Sequence, residues 1–170
     1  MIRPITADDT VPLIALADAT GLFSPEQLDD LRPMVSASLN TPSATRPFWI
    51  TDDDCGLVSL AYCEPERMTD GTWSLQLIAV HPTFQRQGRG VQLLRYLEQT
   101  LASRGARILL VDTLGTPDFD HVRAFYRKNG FEEEARIREF YAAGADKVVF
   151  RRVLVASPSP CQRQRATEEG

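Results

Sequence analysis

The chain has little of the chemistry that stabilises small secreted proteins or binds metals. Its 170 residues include three cysteines and two histidines. The cysteines, Cys55, Cys63 and Cys161, show no Cys-x-x-Cys spacing. An odd cysteine count without that spacing argues against a disulfide framework and a zinc site, and is typical of a reducing cytosol. We therefore expect no metal, and the predicted location is cytoplasmic.

Long apolar runs and an excess of one charge are also missing. No segment approaches the ~20 consecutive apolar residues that a membrane-spanning helix needs, and the opening Met1-Ile-Arg-Pro has no signal-peptide core. Lysine and arginine number 19 against 23 aspartates and glutamates, which gives a net charge of −4. That balance, without interleaved aromatic and basic residues, argues against a nucleic-acid partner. We expect neither a membrane nor a nucleic acid as partner.

What remains is an ordinary globular composition, with 43% hydrophobic and 25% charged residues. A chain of this length forms one domain whose core needs no staple. Residues 1–154 carry periodic apolar patterning and are predicted to be that domain. From Ser157 onward the chain is rich in proline, serine, glutamine and arginine, so residues 155–170 are predicted to be a disordered tail.

The apolar patterns predict a mixed α/β sheet with one parallel step between residues 75 and 112. Three strands in series are expected to form an antiparallel meander, and Pro33 is expected to kink or split its helix. The predicted elements are a strand at 1–5, helices at 11–19 and 25–39, strands at 48–50, 57–63 and 72–80, a helix ending at 105, a strand at 107–112, a helix starting at 120, and strands at 131–137 and 147–154.

Several residues of chemically versatile types are predicted to be structural. The acidic run 52–54 is interpreted as a solvated hairpin loop. His81 precedes Pro82 and is predicted to be a turn residue, and His121 is placed in the first turn of a helix. Cys63 is predicted to pack in the core, and Trp49 and Trp73 to lie in the core or a pocket wall.

The most informative segment is Gln85-Arg-Gln-Gly-Arg-Gly90 at the start of a helix. Glycine lets a backbone approach a ligand closely, and the first turn of a helix leaves its N–H groups unpaired beside the positive end of the helix dipole. Together these features predict an anion site. Five arginines and one acid between His81 and Arg107 add local positive charge.

Two known nucleotide-binding motifs do not fit this loop, whereas a purely structural interpretation does. A P-loop needs Gly-Lys followed by Ser or Thr, which the chain lacks. A dinucleotide fingerprint needs a third glycine where Leu93 stands. A flexible glycine turn on a basic helix remains the structural alternative to a phosphate cradle.

At this point the chain resembles the GNAT superfamily of N-acetyltransferases. Ile78-Ala79-Val80-His81-Pro82 followed by Gln85 to Gly90 is similar to the family's acetyl-coenzyme A signature, Gln/Arg-x-x-Gly-x-Gly/Ala after a strand. Ala124 to Phe131 resembles a second family motif, and Ile2-Arg-Pro-Ile-Thr-x-x-Asp9 resembles the family's first strand. The likeness spans residues 1–154. It implies the GNAT fold: a mixed, mostly antiparallel sheet with a central splayed parallel strand pair, flanked by helices.

The resemblance implies acetyl-coenzyme A as cosubstrate and assigns its contacts. The pantetheine arm would pair with the open edge of the fourth strand, as an added strand does. The N–H of Ile78 would polarise the acetyl carbonyl. The residues implied in cofactor binding are Ile78, Ala79 and Val80 on the strand, and Gln85, Arg86, Gln87, Gly88, Arg89, Gly90 and Val91 around the pyrophosphate.

The resemblance also implies direct transfer of acetyl to a primary amine in a ternary complex. Tyr126 matches the family's tyrosine acid, which protonates the departing thiolate; a core aromatic beside Val122 is the alternative. Because an alkyl amine is mostly protonated at neutral pH, a base must take its proton. Asp112 occupies the place of a carboxylate that some members use, whereas Gln76 stands where others carry glutamate.

The base and the acceptor stay open at this stage. Glu64, Glu66 and Asp70 are further candidates for the base, with solvated surface acids as the alternative. The helices of residues 11–39 and the loop 64–72 are expected to shape the acceptor pocket, and residues 136–141 to line it or to face solvent.

A small-molecule or amino-acid amine is the predicted acceptor, and a protein N-terminus or lysine is the alternative. Many members of the family are dimers, so a homodimer is possible. A non-catalytic regulatory module that binds acyl-coenzyme A is the alternative from another class.

Overall fold

A seven-stranded sheet forms the centre of the computed structural model, which describes residues 1–39 and 45–154. The predicted tail 155–170, with Cys161, lies outside the described residues. The strands are β1 (Ile2–Pro4), β2 (Phe48–Asp53), β3 (Leu57–Pro65), β4 (Thr72–Val80), β5 (Ile108–Leu114), β6 (Glu132–Ala142) and β7 (Ala145–Val153). The helices are α1 (Thr10–Ala19), α2 (Pro25–Leu39), α3 (Arg89–Ser103) and α4 (Asp120–Lys128), and short 3₁₀ turns lie at residues 7–9, 82–84 and 117–119.

The strand order is β1-β2-β3-β4-β5-β7-β6, and β4 with β5 is the parallel pair among the described strands. The antiparallel meander β2-β3-β4 is confirmed. The parallel register runs from Thr72 opposite Ile108 to Leu75 opposite Val111 and stops there. From residue 76 to residue 80, β4 has no described strand on its β5 side. The predicted mixed α/β sheet with a splayed parallel pair is therefore confirmed.

A β-bulge in β4 lies where the splay begins. Tyr62 of β3 pairs with Leu77, but Cys63 pairs with Leu75, so Gln76 is the extra residue. An extra residue moves every later side chain to the opposite face of the sheet. Leu75 accordingly packs in the core beneath α3, whereas Leu77 packs against the core beneath α1 and α2.

Helices cover both faces of the sheet and bury a core on each. On one face α3 buries Leu93, Leu94, Leu97 and Leu101; on the other, α1 buries Leu13, Ile14, Leu16 and Ala17. Each such leucine contributes about 2 kcal/mol when it leaves water. Trp49, Trp73 and Cys63 are buried in these two cores, as the sequence predicted. No helix in the described part combines the length and apolarity that crossing a bilayer requires.

Three local predictions are corrected by the structure. Pro33 does not split α2, which runs as one helix from Pro25 to Leu39 with Pro33 on its exposed face. The acidic run is not simply a solvated loop: Asp52 and Asp53 belong to β2, and Asp52 is buried. Strand β6 runs past its predicted end at Ile137 to Ala142, with an irregular register between those two residues.

Candidate active site

The divergence of β4 from β5 opens a cavity of about 880 Å³. Its walls include the free edge of β4, the end of β5, the first turn of α3 and part of α4. At one end lies the loop that joins β4 to α3, with Gln85, Arg86 and Gly88. Gln76 and Asp112 lie where the strands part, next to the last paired residues. A rise of about 3.3 Å per residue separates Gln76 from the end of β4 by roughly 13 Å.

Six consecutive backbone amides at the loop end have no partner in the described part of the protein, and all of these residues except Gln87 line the cavity. The N–H groups of residues 86–91 donate no hydrogen bond to any described residue, whereas those of Phe84, Gln85 and Gln92 on either side do. Helix α3 begins at Arg89, so the amides of residues 89–91 are the unpaired donors of its first turn. This arrangement concentrates N–H groups and the positive end of the helix dipole on one spot, which suits a pyrophosphate.

Side chains of the loop hold that backbone in place. Gln85 Nε2 donates to the Val80 carbonyl at 3.1 Å, and Gln87 Nε2 donates to the Thr83 carbonyl at 3.0 Å. Gly88 caps α3 in the left-handed region at φ 79°, and a Cβ there would meet nothing within 4 Å, so the space above it is open. Backbone conformation, and not crowding by the protein, explains this glycine.

The arginines of this region are less available to a ligand than their number suggested. Arg89 lines the cavity, but its guanidinium binds two carboxylates of the β2–β3 hairpin: Nη1 lies 2.9 Å from Asp52 Oδ2, and Nη2 lies 2.5 Å from Asp54 Oδ2. Arg104 lies over the Phe48 ring at 4.0 Å, and Arg107 donates to the Asp70 carbonyl. The predicted excess of positive charge is therefore largely committed to internal contacts.

Arg86 is the exception on the cavity wall. It is exposed, has a positive φ of 59°, and forms no ion pair with the described residues. Its guanidinium can therefore meet a phosphate without giving up a protein partner.

Asp52 is the buried end of the Arg89 contact. Its carboxylate also accepts a hydrogen bond of 2.9 Å from the N-terminal ammonium of Met1. Burial alone would raise the pKa of Asp52, but the hydrogen bonds from that ammonium and from Arg89 outweigh it and lower the pKa. The residue is therefore ionised at neutral pH, and it ties the first turn of α3 to the β2–β3 hairpin.

Tyr126 lines the cavity from α4 and is 3% exposed. Its ring packs on Phe131 and Phe150 with centroids 5.4 and 5.7 Å away. Tyr126 therefore packs in the core and also lines the cavity, so both alternatives that the sequence left open describe its position. Burial raises the pKa of Tyr126, so its hydroxyl stays protonated at any ordinary assay pH. A hydroxyl in that state can donate to an anion in the cavity, and it cannot act as a base.

Asp112 lines the cavity from β5 and is paired with Lys147 of β7. Lys147 Nζ lies 2.5 Å from Asp112 Oδ2, and the two side chains are 20% and 35% exposed. Tyr141 of β6 lines the same wall. Burial raises the pKa of Tyr141, the charge of Asp112 raises it further, and Lys147 opposes both effects. The three groups thus form one electrostatic cluster.

Some of the remaining predicted residues line the cavity and others lie away from it. No residue of the loop 64–72 lines this cavity, so its contribution to the acceptor pocket stays a prediction. Glu64 accepts a hydrogen bond of 3.3 Å from Tyr62 instead. His81 is a turn residue, as predicted, because its Nδ1 accepts from the Thr83 amide. His121 does line the cavity, as do Thr20 and Leu22 from the connection between α1 and α2.

Sequence reasoning missed two residues around the site, whereas the segment 136–141, which it expected to line the pocket or to face solvent, does contribute Tyr141 to the cavity wall. Lys147, which binds Asp112, comes from a strand whose register gave no signal in the sequence. Arg123 is 4% exposed and donates to the Leu114 and Thr116 carbonyls and to Asp120, which ties α4 to the end of β5. Its spacing of three residues from Asp120 on a helix was the available sign of that contact. In the described part of the chain, no group of His, Cys, Asp and Glu is arranged to hold a metal.

Comparisons with known proteins agree on the family. The sequence model of the acetyltransferase (GNAT) domain matches residues 44–133, more than half of the chain. A protein from Desulfovibrio desulfuricans assigned to the GNAT family is 29% identical, with a TM-score of 0.85 over 91% of this chain and 99% of that one. No curated protein matches the sequence.

Two more distant structures share the fold. An aminoglycoside 6'-N-acetyltransferase complexed with coenzyme A is 15% identical, with a TM-score of 0.74 over 94% of this chain and 99% of that one. The ribosomal-protein-S18-alanine N-acetyltransferase from Escherichia coli is 20% identical, with a TM-score of 0.71 over 94% and 97%. With its splayed sheet, its amide-lined loop and a domain match over more than half its length, the chain belongs to the GNAT family of N-acetyltransferases.

Proposed function

We propose that the protein transfers acetyl from acetyl-coenzyme A directly to a primary amine of a small molecule, in a ternary complex. One observation carries the proposal: a single cavity joins five residues with unpaired amides at the start of α3 to the free edge of β4. The first feature suits a pyrophosphate, and the second suits an extended amide-containing arm. A related fold has been solved with coenzyme A, which supports this choice of cosubstrate.

The cofactor's contacts follow from that geometry. The amides of residues 86–91 hold the pyrophosphate, and Arg86 adds a free guanidinium. Gln85, Gln87 and Arg89 contribute through the loop backbone that their side chains fix. The pantetheine arm pairs with Ile78, Ala79 and Val80, and the thioester comes to rest near the bulge at Gln76.

In the chemical step, the acceptor's ammonium first gives a proton to Asp112, directly or through water, while Lys147 stays beside that carboxylate. The neutral nitrogen then attacks the thioester carbon, whose oxygen is stabilised by the Ile78 N–H. The carbon–sulfur bond breaks, and the coenzyme A thiolate takes a proton from Tyr126. The nitrogen loses its second proton, which returns to the Tyr126 oxygen directly or through water, and Asp112 releases the first proton to solvent. The amide product and free coenzyme A leave.

A small acceptor is favoured because the cavity is a concave pocket between β4, β5 and α4. The relatives differ on this point: by their names, one acts on aminoglycosides and another on a ribosomal protein. A protein N-terminus or lysine is therefore the second acceptor class to test. Free thiols at Cys55 and Cys63 fit a reducing compartment, and we propose the cytosol. A homodimer stays a prediction, which light scattering in solution tests.

The decisive experiment measures acetyl-coenzyme A binding by calorimetry and thiol release across a panel of amines and an alanine-starting peptide. We expect binding, and release with small amines. Binding without release on any acceptor would favour the regulatory module, and absence of binding would overturn the assignment of the loop.

The Tyr126→Phe variant tests the acid. We expect kcat to fall by roughly 10²-fold, the lower range for general acid catalysis, with little change in the affinity for coenzyme A. Because Phe preserves the ring packing on Phe131 and Phe150, the thermal midpoint should stay near wild type. Unchanged kcat would remove Tyr126 from the mechanism.

A further inference from the structure

The cavity holds one carboxylate among the described residues that line it, and that carboxylate is already neutralised. Asp112 is the acid in the wall, whereas Arg86 and Arg89 are basic. Leu114 of β5 lies directly opposite Lys147 of β7, so Asp112 and Lys147 are diagonal neighbours on one face of the sheet. Their 2.5 Å contact places a fixed positive charge where an acceptor amine must come to lose its proton.

Lys147 is held at this place by its other neighbours. Its ammonium lies 4.7 Å from the centre of the Phe140 ring, in the irregular part of β6 where Glu139 has a φ of 52°. The adjacent Asp146 does not compete for it, because that carboxylate accepts from Arg136 Nη1 at 3.1 Å and from the Glu139 amide at 3.0 Å. The lysine is therefore committed to Asp112.

The neighbouring wall is apolar or neutral. Leu77, Leu114 and Tyr141 line the cavity around the ion pair. The other titratable side chains along the wall are on different elements: Arg86, Arg89, His121 and Tyr126. A bound polycation would meet one wall carboxylate, Asp112, whose charge Lys147 already offsets, and would feel the repulsion of Lys147 at each further ammonium. An amine with one charge and an apolar body would meet the same carboxylate and apolar surface.

We propose that Lys147 makes the site selective for acceptors with a single amine and an apolar body, and against polycations such as polyamines and aminosugars. This inference rests on the proposed function and concerns its acceptor. Lys147 acts on the acceptor through its charge: a cation beside the incoming ammonium disfavours the protonated form and so helps to produce the neutral nucleophile. It is a specificity-determining residue, and it takes no part in bond making.

The test compares phenethylamine with spermidine and kanamycin at saturating acetyl-coenzyme A. We expect the wild type to prefer phenethylamine in kcat/KM by tenfold or more. Lys147→Met, which keeps the length of the side chain, should reduce that preference about tenfold. It should also raise the acceptor-side pKa in the pH profile of kcat/KM by about one unit.

Two control variants separate charge from structure. Lys147→Arg keeps the cation and should keep the wild-type selectivity. Arg138→Met removes an exposed cation from the irregular part of β6. Among the described residues no ion pair joins Arg138 to Asp112, so this variant should also leave the selectivity unchanged. The inference would be overturned if Lys147→Met changed kcat/KM equally for all three amines, or if the wild type preferred kanamycin or spermidine. In either case, thiol release would still support the proposed function. No thiol release with any amine would overturn both.

Discussion

The contact between Arg89 and the β2–β3 hairpin is compatible with two roles for the arginine, and these roles predict opposite changes in coenzyme A affinity when the contact is removed. In one role, the guanidinium is a phosphate ligand that Asp52 and Asp54 partly mask. In the other, it is a tie that fixes the first turn of α3, and the loop amides do the binding. Asp52→Asn keeps the shape of the buried side chain and removes its charge, so it frees the guanidinium while it weakens the tie.

The structure favours the tie. Asp52 is buried and accepts from Arg89 Nη1 at 2.9 Å, and hydrogen bonds to charged groups contribute about 2 kcal/mol each. Losing this contact should lower the free energy of unfolding by about that amount, because the partner charge is left poorly paired. If half of the loss appears as disorder of the first turn of α3, coenzyme A should bind about fivefold more weakly, since 1.4 kcal/mol is a factor of ten.

Calorimetry of coenzyme A binding measures this directly. We expect Asp52→Asn and Arg89→Gln to weaken binding to a similar extent, and the double variant to be no weaker than either single one. Arg95→Gln is the matched control, because it removes the same charge from an exposed position on the same helix. Tighter binding by Asp52→Asn would refute the reasoning, because it would mean that the freed guanidinium reaches the phosphates.

Two further predictions concern the cradle and the fold. Gly88→Asp should weaken coenzyme A binding by tenfold or more in calorimetry. Gly88→Asn, whose side chain tolerates the same positive φ, should lose much less affinity, because only the aspartate puts an anion beside the pyrophosphate. Equal losses of affinity in the two variants would contradict the assignment of this loop to the pyrophosphate. The hydrogen bonds from Arg3 lower the pKa of Asp9 from 3.8 to about 2. Because the folded pKa is depressed, this pair stabilises the fold above the unfolded pKa and loses its effect as pH falls through the folded one. Asp9→Asn should therefore lower the free energy of unfolding, measured in urea, by about 2 kcal/mol at pH 7 and by about half of that near pH 3. A loss of stability that does not change with pH would contradict this role of the Arg3–Asp9 pair.

The glycine loop at the start of α3 and the features that suit it to a phosphate were predictable because their determinants are local. A phosphate site at a helix start needs small residues, a strand before it and a helix after it, and all of these stand within one short segment around Gly88 and Gly90. Apolar spacing likewise located β4, α3 and β5, so the parallel step could be inferred. The splay itself followed from the family likeness, and the register confirms it.

The ion pairs were not predictable because they join distant parts of the chain. Asp52 and Arg89 are 37 residues apart, and nothing in an acidic triplet distinguishes a buried partner from a solvated turn. The sequence-based interpretation therefore assigned the wrong environment to Asp52 and counted the charge of Arg89 as free. The bulge at Gln76 was equally hidden, because it is defined by the pairing of Tyr62 and Cys63 on the neighbouring strand.

The acceptor end differs in kind from the cofactor end. In the proposed complex, coenzyme A would meet mainly backbone amides, which every residue but proline provides, so many sequences can build that half once the turn is fixed. The acceptor would meet the cavity-lining side chains of Asp112, Tyr141 and Leu22, with Lys147 bound to Asp112. Each can change without disturbing the loop. We therefore expect a site built this way to keep one donor while its acceptor changes. The charge at residue 147 should therefore alter which amine reacts while leaving coenzyme A affinity unchanged.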